Sequence, residues 1–353
     1  MHVGILTFHN GPNYGGHFQA LGMAQAISAM GHDVETIHYK NELHYRGQLI
    51  KPWVYRRPLK LWHDWLKHRE FDRAVKELPL SSGDLAIDPS KIDWNRYDAI
   101  VVGSDIVWNR SILGLGRDEV YFGRFPTEFK GRLIAYAPSI GPMPIDYECP
   151  SWMPEALGRF SFIGARDPNT ASFVELHTGN RPPIVADPTW LVDPVAPSGG
   201  RKDRIDDRIL VYSFPLVGPD KKFAEAIQSF ASENGLKIDV TGYYQGWGDR
   251  NLGSVSPDRW QRMFGTYRYI ASGTFHGGLF SIREEAQFCI ITHPAIDTKL
   301  EQALKVTQLE DRLIQSPEAI AETLRQSIDF EKVRPLRQSY ADQSLALLAD
   351  ALS

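Results

Sequence analysis

The chain has 353 residues, of which 42% are hydrophobic and 23% charged, with a formal net charge of -4. That length accommodates two α/β units with separate cores, and the charge balance argues against the strongly basic face that a nucleic-acid partner requires. Cys149 and Cys289 stand too far apart in sequence for a zinc motif or a disulfide framework, and no apolar run approaches the roughly 20 residues that span a bilayer.

Met1 leads directly into the apolar run Val3 to Thr7 without a signal-type stretch, so a cytoplasmic location is expected. This run reads as a strand, followed by a Gly-rich loop, a helix from Gln19 to Met30 ended by Gly31, and a strand from Val34 to His38. Between Tyr45 and Leu80 lies an aromatic and basic segment, including Trp53, Tyr55, Arg56, Arg57, Lys60, Trp62, Trp65 and Arg69. It is expected to contain a helix, either with an aromatic stripe on the core or with a surface for an acceptor or a membrane. Short strands are expected at Ala99 to Val102, Leu133 to Tyr136 and Phe162 to Ala165, as in a doubly wound parallel sheet. The polar stretch Pro197 to Arg208 is the linker candidate, which places an N-terminal unit at 1–196 and a C-terminal unit at 197–353. A second alternation follows. Strands are expected at Ile209 to Tyr212, Lys237 to Val240, Tyr269 to Ala271 and Phe288 to Ile291, with helices at Lys221 to Glu233, Pro257 to Phe264 and Gly278 to Glu284. The expected class is α/β: two Rossmann-like lobes facing a cleft, with helices closing the C-terminus.

Four loops carry residues suited to chemistry. Asn10 to Gln19 joins a strand to a helix with Asn13, Tyr14, Gly15 and Gly16, where backbone N–H groups can approach an oxygen-rich ligand or simply make a tight turn. Gly103-Ser104-Asp105 with Trp108 and Asn109 offers an aromatic platform and hydrogen-bonding groups for a sugar; Asp105 would orient or deprotonate a hydroxyl, or else cap the next helix. Arg166, at a strand end, suits a carboxylate or phosphate, while a structural pair with Asp167 is the alternative. The sharpest is Ser272-Gly273-Thr274-Phe275-His276-Gly277-Gly278, read as a turn that presents hydroxyls, backbone N–H groups and an imidazole to an anion.

Taken in order, Asn13-Tyr14-Gly15, Gly103-Ser104-Asp105 with Trp108-Asn109, Tyr136-Ala137-Pro138-Ser139-Ile140-Gly141, Ala165-Arg166-Asp167, Asp187-Pro188-Thr189 and Ser272 to Gly277 resemble the polysaccharide pyruvyltransferase family. The resemblance implies a GT-B-like fold, phosphoenolpyruvate as donor, and a cyclic ketal formed on two hydroxyls of one sugar with release of phosphate. Members act on nucleotide sugars, lipid-linked intermediates or glycans of the cell envelope. On this pattern His276, Arg166 and Asp105 are the catalytic candidates. Arg166, Ser272, Thr274, His276, Gly277 and Lys299 are the donor candidates, and Asn13, Tyr14, Gly15, Gly16, Ser104, Asp105, Trp108 and Asn109 the acceptor candidates. Thr274 stands where members with Arg-x-His carry the arginine, which bears on the donor contacts. No metal or bound cofactor is expected. A nucleotide-sugar-dependent glycosyltransferase and a non-catalytic glycan-binding relative are the competing readings, and peripheral membrane contact and self-association stay open.

Overall fold

The computed structural model describes residues 1–46, 58–112, 114, 117–192, 205–293 and 297–353. In chain order its first elements are β1 (His2–Leu6), α1 (Tyr14–Ala29), β2 (Asp33–Thr36), α2 (Pro58–Ala74), β3 (Ala99–Val102), β4 (Arg132–Tyr136), α3 (Met153–Gly158), β5 (Phe162–Gly164) and α4 (Pro168–Thr178). Then follow β6 (Ile205–Ser213), α5 (Lys221–Glu233), β7 (Lys237–Thr241), β8 (Arg250–Leu252), α6 (Pro257–Thr266), β9 (Tyr267–Gly273), α7 (Phe275–Arg283) and β10 (Gln287–Ile291). The last elements are α8 (Asp297–Thr307), β11 (Leu313–Ile314), α9 (Ala319–Arg325) and α10 (Phe330–Leu352).

The chain forms two compact units, Met1–Tyr55 with Asp72–Val192 and Ser339–Ser353, and Arg56–Phe71 with Asp193–Gln338. Sequence suggested one boundary near residue 196, but the final residues belong with the first unit. Arg132 Nη1 donates to the Ala351 carbonyl at 3.0 Å, and Ala186 N donates to Ser344 Oγ at 2.9 Å. Of the linker candidate, residues 197–204 lie outside the described residues, and Ile205 onward is already β6.

In the first unit five parallel strands take the order β2-β1-β3-β4-β5. β3 is Ala99-Ile100-Val101-Val102 with every side chain buried, as expected of a central parallel strand covered on both faces. The core gathers Leu6, Ile37, Ile100, Val102, Leu133 and Phe173. Because β2 lies on one side of β1 and β3 on the other, the sheet reverses direction between β1 and β3, the place where doubly wound sheets present ligands beyond the strand ends.

In the second unit the order is β11-β10-β9-β6-β7-β8. All its pairings are parallel, and the reversal lies between β6 and β9. Helix α5 buries Phe223, Ala224, Ile227, Phe230 and Ala231, a 3.6-residue stripe facing the core that holds Ile209, Val211 and Val240. Within this unit α2 does not supply the aromatic core stripe expected of it. Trp62 and Trp65 are 58% and 51% exposed and stack on each other with centroids 5.2 Å apart. Trp53, Tyr55, Arg56 and Arg57 lie outside the described residues. No helix among the described residues is long and apolar enough to cross a membrane.

Candidate functional site

At the strand ends of the first unit the motif residues form one buried polar network. Arg166, 3% exposed, follows β5; its Nη1 donates to Asp187 Oδ2 at 3.2 Å and to Ser104 Oγ at 3.3 Å, while Nη2 lies 3.7 Å from Asp105 Oδ1. Asp187 also accepts from the Thr189 backbone and hydroxyl, at 3.0 and 2.9 Å. A buried guanidinium needs such partners, since each ion left unpaired away from water costs several kcal/mol. Arg166 is therefore matched by carboxylates within its own unit and cross-links the loops that carry them. Its partners are Asp187 and Asp105, not Asp167. Asp167 instead caps α4 through Thr170 N at 2.8 Å and accepts from Ser139 Oγ at 2.5 Å.

Asp105 adopts a left-handed φ of 74° and accepts from its neighbour Ile106 N at 2.8 Å, so it closes a tight turn and caps no helix. Its side chain is 13% exposed, the Arg166-facing carboxylate of this network that keeps some contact with solvent. Trp108 is corrected more sharply. It is fully buried, with its indole N–H on the Tyr121 carbonyl at 2.8 Å and its ring stacked on Phe122, so it has no open face for a sugar. Asn109, 1% exposed, accepts from the Ser111 backbone at 3.1 Å. Tyr14 is likewise buried, because α1 begins at Tyr14 rather than Gln19. Gly15 and Gly16 are thus helical, and a Cβ on Gly16 would come within 3.2 Å of the Phe8 carbonyl. Asn13 is the exposed N-cap residue, with no side-chain capping bond of its own.

In the second unit the sequence from Ser272 to Gly278 is a strand-to-helix junction with a single linking residue, not an open turn. β9 runs to Gly273 and α7 starts at Phe275. Thr274 sits between them in extended conformation, and its hydroxyl caps α7 by accepting from Gly277 N at 3.1 Å. Ser272 is fully buried and donates to the Tyr212 carbonyl on β6 at 2.9 Å. A Cβ on Gly277 would fall 2.0 Å from Ser272 Oγ, and one on Gly273 2.2 Å from Ser213 Oγ, so these glycines permit close packing. Ser272, Thr274 and Gly277, expected to meet the donor, thus hold the junction together.

The junction leaves His276 in the first turn of α7, next to the sheet reversal between β6 and β9. Backbone N–H groups of a first helical turn lack intrahelical partners and carry the positive end of the helix dipole. The His276 ring meets Phe275 edge to face at 4.9 Å, and Lys299 Nζ lies 5.7 Å from the Phe275 ring centre. Lys299, 23 residues beyond His276 in sequence (299 − 276), thus shares with it the Phe275 ring as a neighbour. His293, at the end of β10, lies near the same reversal with its ring 5.1 Å from Phe214.

Sequence reasoning missed three further groups. His9, His38 and Lys40 meet where β1 and β2 end; each is a lone basic residue in sequence, and only the parallel pairing of the strands joins them. A pocket of about 620 Å³ in the first unit, lined by Arg117, Arg124 and Arg159 together with Asp118 and Glu119, was not singled out either.

A family model described as polysaccharide pyruvyl transferase matches residues 13–294. No curated protein matches the chain. Among solved structures, an alpha-glucosyltransferase in complex with UDP and a 13-mer DNA is similar over 99% of this chain and 95% of that one, with 9% identity and a TM-score of 0.56. The UDP-GlcNAc 2-epimerase of Methanocaldococcus jannaschii, in complex with UDP-GlcNAc and UDP, is similar over 99% and 100%, with 12% identity and a TM-score of 0.48. At such identities the likeness concerns fold, and it agrees with the two parallel-sheet α/β units of the GT-B class.

Proposed function

We propose, since this chain belongs to the polysaccharide pyruvyl transferase family, that this transferase moves pyruvate from phosphoenolpyruvate onto two hydroxyls of one sugar, forming a cyclic ketal and releasing phosphate. The observation that carries the donor assignment is the placement of His276 in the first turn of α7, with Lys299 beside the same Phe275 ring. Phosphoenolpyruvate presents a phosphate and a carboxylate; a helix N-terminus and an ammonium group are the partners such an anion needs. His276 then serves as the acid that protonates the donor methylene while a sugar oxygen bonds to the adjacent carbon. Phosphate departs with its bonding pair, and the second hydroxyl closes the ring.

On this reading the first unit takes the acceptor, a sugar within a glycan or a glycan precursor. Asp105 is the carboxylate best suited to orient a hydroxyl, with Asn13 exposed at the start of α1. Arg166 holds the loops that carry Ser104, Asp105 and Asp187.

The test is to incubate purified protein with phosphoenolpyruvate and a panel of free, nucleotide-linked and lipid-linked sugars. Phosphate should appear only with a productive acceptor, whose mass should rise by one pyruvyl ketal. Consumption of a nucleotide sugar, with phosphoenolpyruvate untouched, would replace this reading with glycosyl transfer.

A further inference from the structure

The pocket of about 620 Å³ in the first unit collects arginines that its own carboxylates do not neutralise. Arg117, Arg124 and Arg159 line it with Asp118 and Glu119, around the short 3-10 turn Glu119–Phe122. Glu119 is taken by Arg124, whose Nε donates to it at 2.8 Å. Asp118 is engaged as well, accepting from the Tyr39 hydroxyl at 2.7 Å and from Val120 N at 3.1 Å. Arg117 and Arg159 are exposed, and their bonds among the described residues go to neutral oxygens. Arg117 Nε donates to the Arg110 carbonyl at 3.0 Å and its Nη2 to the Tyr147 hydroxyl at 3.2 Å. Arg159 Nη1 donates to the Gly123 carbonyl at 3.3 Å.

Arg110, whose carbonyl Arg117 holds, adds a fourth guanidinium. It lies 5.5 Å from the centre of the Trp152 ring, and Arg124 lies 4.8 Å from the same ring. Its Nε and Nη1 are enclosed without a hydrogen-bond partner among the described residues, while Nη2 is not enclosed. Burial opposes its charge and the nearby Arg117 opposes it further, with Cys149 and Glu119 on the other side of the balance. Cys149 gives little help, because burial pushes its thiol up and leaves it neutral. A guanidinium nonetheless stays protonated in a protein, so like charges are held together here by neutral anchors. An entering anion relieves that repulsion. The carbonyl bonds and the Trp152 ring orient the forks beforehand, which leaves little for a ligand to order.

We propose that this arginine pocket binds a diphosphate group, either as the free ion or esterified to a sugar. It lies wholly within the first unit and stands independently of the pyruvyl-transfer reading. A carboxylate offers two oxygens, which one guanidinium fork satisfies; several forks call for more oxygens and more charge. Arg117 precedes the turn Glu119–Phe122, and the carbonyl that anchors Arg159 follows it. At about 2 Å of rise per residue these ends are about 8 Å apart, a spread that suits two linked phosphoryl groups better than one. The pocket also exceeds a bare diphosphate in volume, which leaves room for an ester substituent.

The test is calorimetric titration of inorganic pyrophosphate into the full chain. Wild type should bind it, more weakly as salt is raised. Arg110→Gln, Arg117→Gln and Arg159→Gln should each lose about one to two decades of affinity. Arg117 and Arg159 are exposed, so their variants decide the matter even if Arg110→Gln fails to fold. Glu119→Gln removes a competing carboxylate and frees Arg124, and it should bind several-fold more tightly, a gain that a purely structural ion pair does not give. Lys299→Ala, in the second unit, should bind pyrophosphate as wild type does, which separates this pocket from the proposed donor site. UDP-glucose then distinguishes the two sources. Affinity that falls in the same arginine variants assigns the esterified diphosphate, and affinity indifferent to them assigns the free ion. No binding of pyrophosphate by wild type, wild-type affinity in the Arg117 and Arg159 variants, or a loss confined to Lys299→Ala overturns the proposal. None of these outcomes bears on phosphate release from phosphoenolpyruvate, so the two readings fail separately.

Discussion

The two sheet reversals use their polar residues in opposite ways. In the first unit Arg166, Asp105, Asp187 and Ser104 bind one another, so charge pairing fixes the loops. In the second, Ser272, Gly273, Thr274 and Gly277 are used for close packing and capping, and His276 and Lys299 both neighbour the Phe275 ring. The lesson is that a motif residue rarely acts alone. Several members exist to hold one or two groups where chemistry can use them, and substitution should separate loss of fold from loss of turnover.

The largest effect is expected at His276. His276→Ala should reduce kcat by about 10² to 10⁴ with the fold intact, and His276→Gln should do nearly the same because an amide cannot shuttle protons near neutral pH. Near-normal turnover in the glutamine variant would leave His276 only a positioning role.

Arg166→Ala should instead act on stability. Removing the cation strands two carboxylates at 3.2 and 3.7 Å from its nitrogens. The cost is about 3 to 5 kcal/mol, read from denaturant melts. Arg166→Lys should recover only part of it, since one ammonium cannot fork to both sides. A variant as stable as wild type but weakened in donor affinity would return Arg166 to the donor site and erase the contrast between the units.

Acid should loosen the first unit through its buried histidines. Burial lowers His9 to about 3 and His17 to about 4, below the ordinary 6.5. As pH falls below about 6.5 the unfolded chain binds these protons before the folded one does. Stability is therefore complete above that value and declines toward the folded pKa values, by up to about 1.4 kcal/mol per pH unit for each ring. Urea midpoints measured from about pH 7.5 down to about pH 5 should fall, and a flat series would mean that neither ring is held neutral.

The smallest effect is expected at Thr274. Losing its cap on α7 in Thr274→Ala should cost about 1 kcal/mol, with Thr274→Ser close to wild type in a thermal melt. A large loss of donor affinity in Thr274→Ser would assign the threonine a contact beyond capping.

Much of this was legible in the amino-acid sequence, and the exceptions have physical reasons. β3 and α5 fall where apolar runs and 3.6-residue spacing place them. β8 and β11, of three and two residues, are too short to show any alternation. Gly277 suggested a turn, yet it lies in the helix together with Gly278, where the helix was expected to start; both positions are glycine because Ser272 and Leu300 pack where a side chain would sit. Trp108 suggested a sugar platform because sequence does not reveal that Phe122 and Phe160 already cover its ring. His9 and His38 drew no notice, being 29 residues apart until two parallel strands bring them into hydrogen-bonding distance.

The division of labour between the units is tested most directly by calorimetric titration of phosphoenolpyruvate into wild-type protein, Lys299→Ala and Asp105→Asn. The expected result is binding by wild type, a loss of about one to two decades of affinity in Lys299→Ala, and wild-type affinity in Asp105→Asn. Absence of binding by wild type, or donor affinity lost in Asp105→Asn and kept in Lys299→Ala, would contradict it.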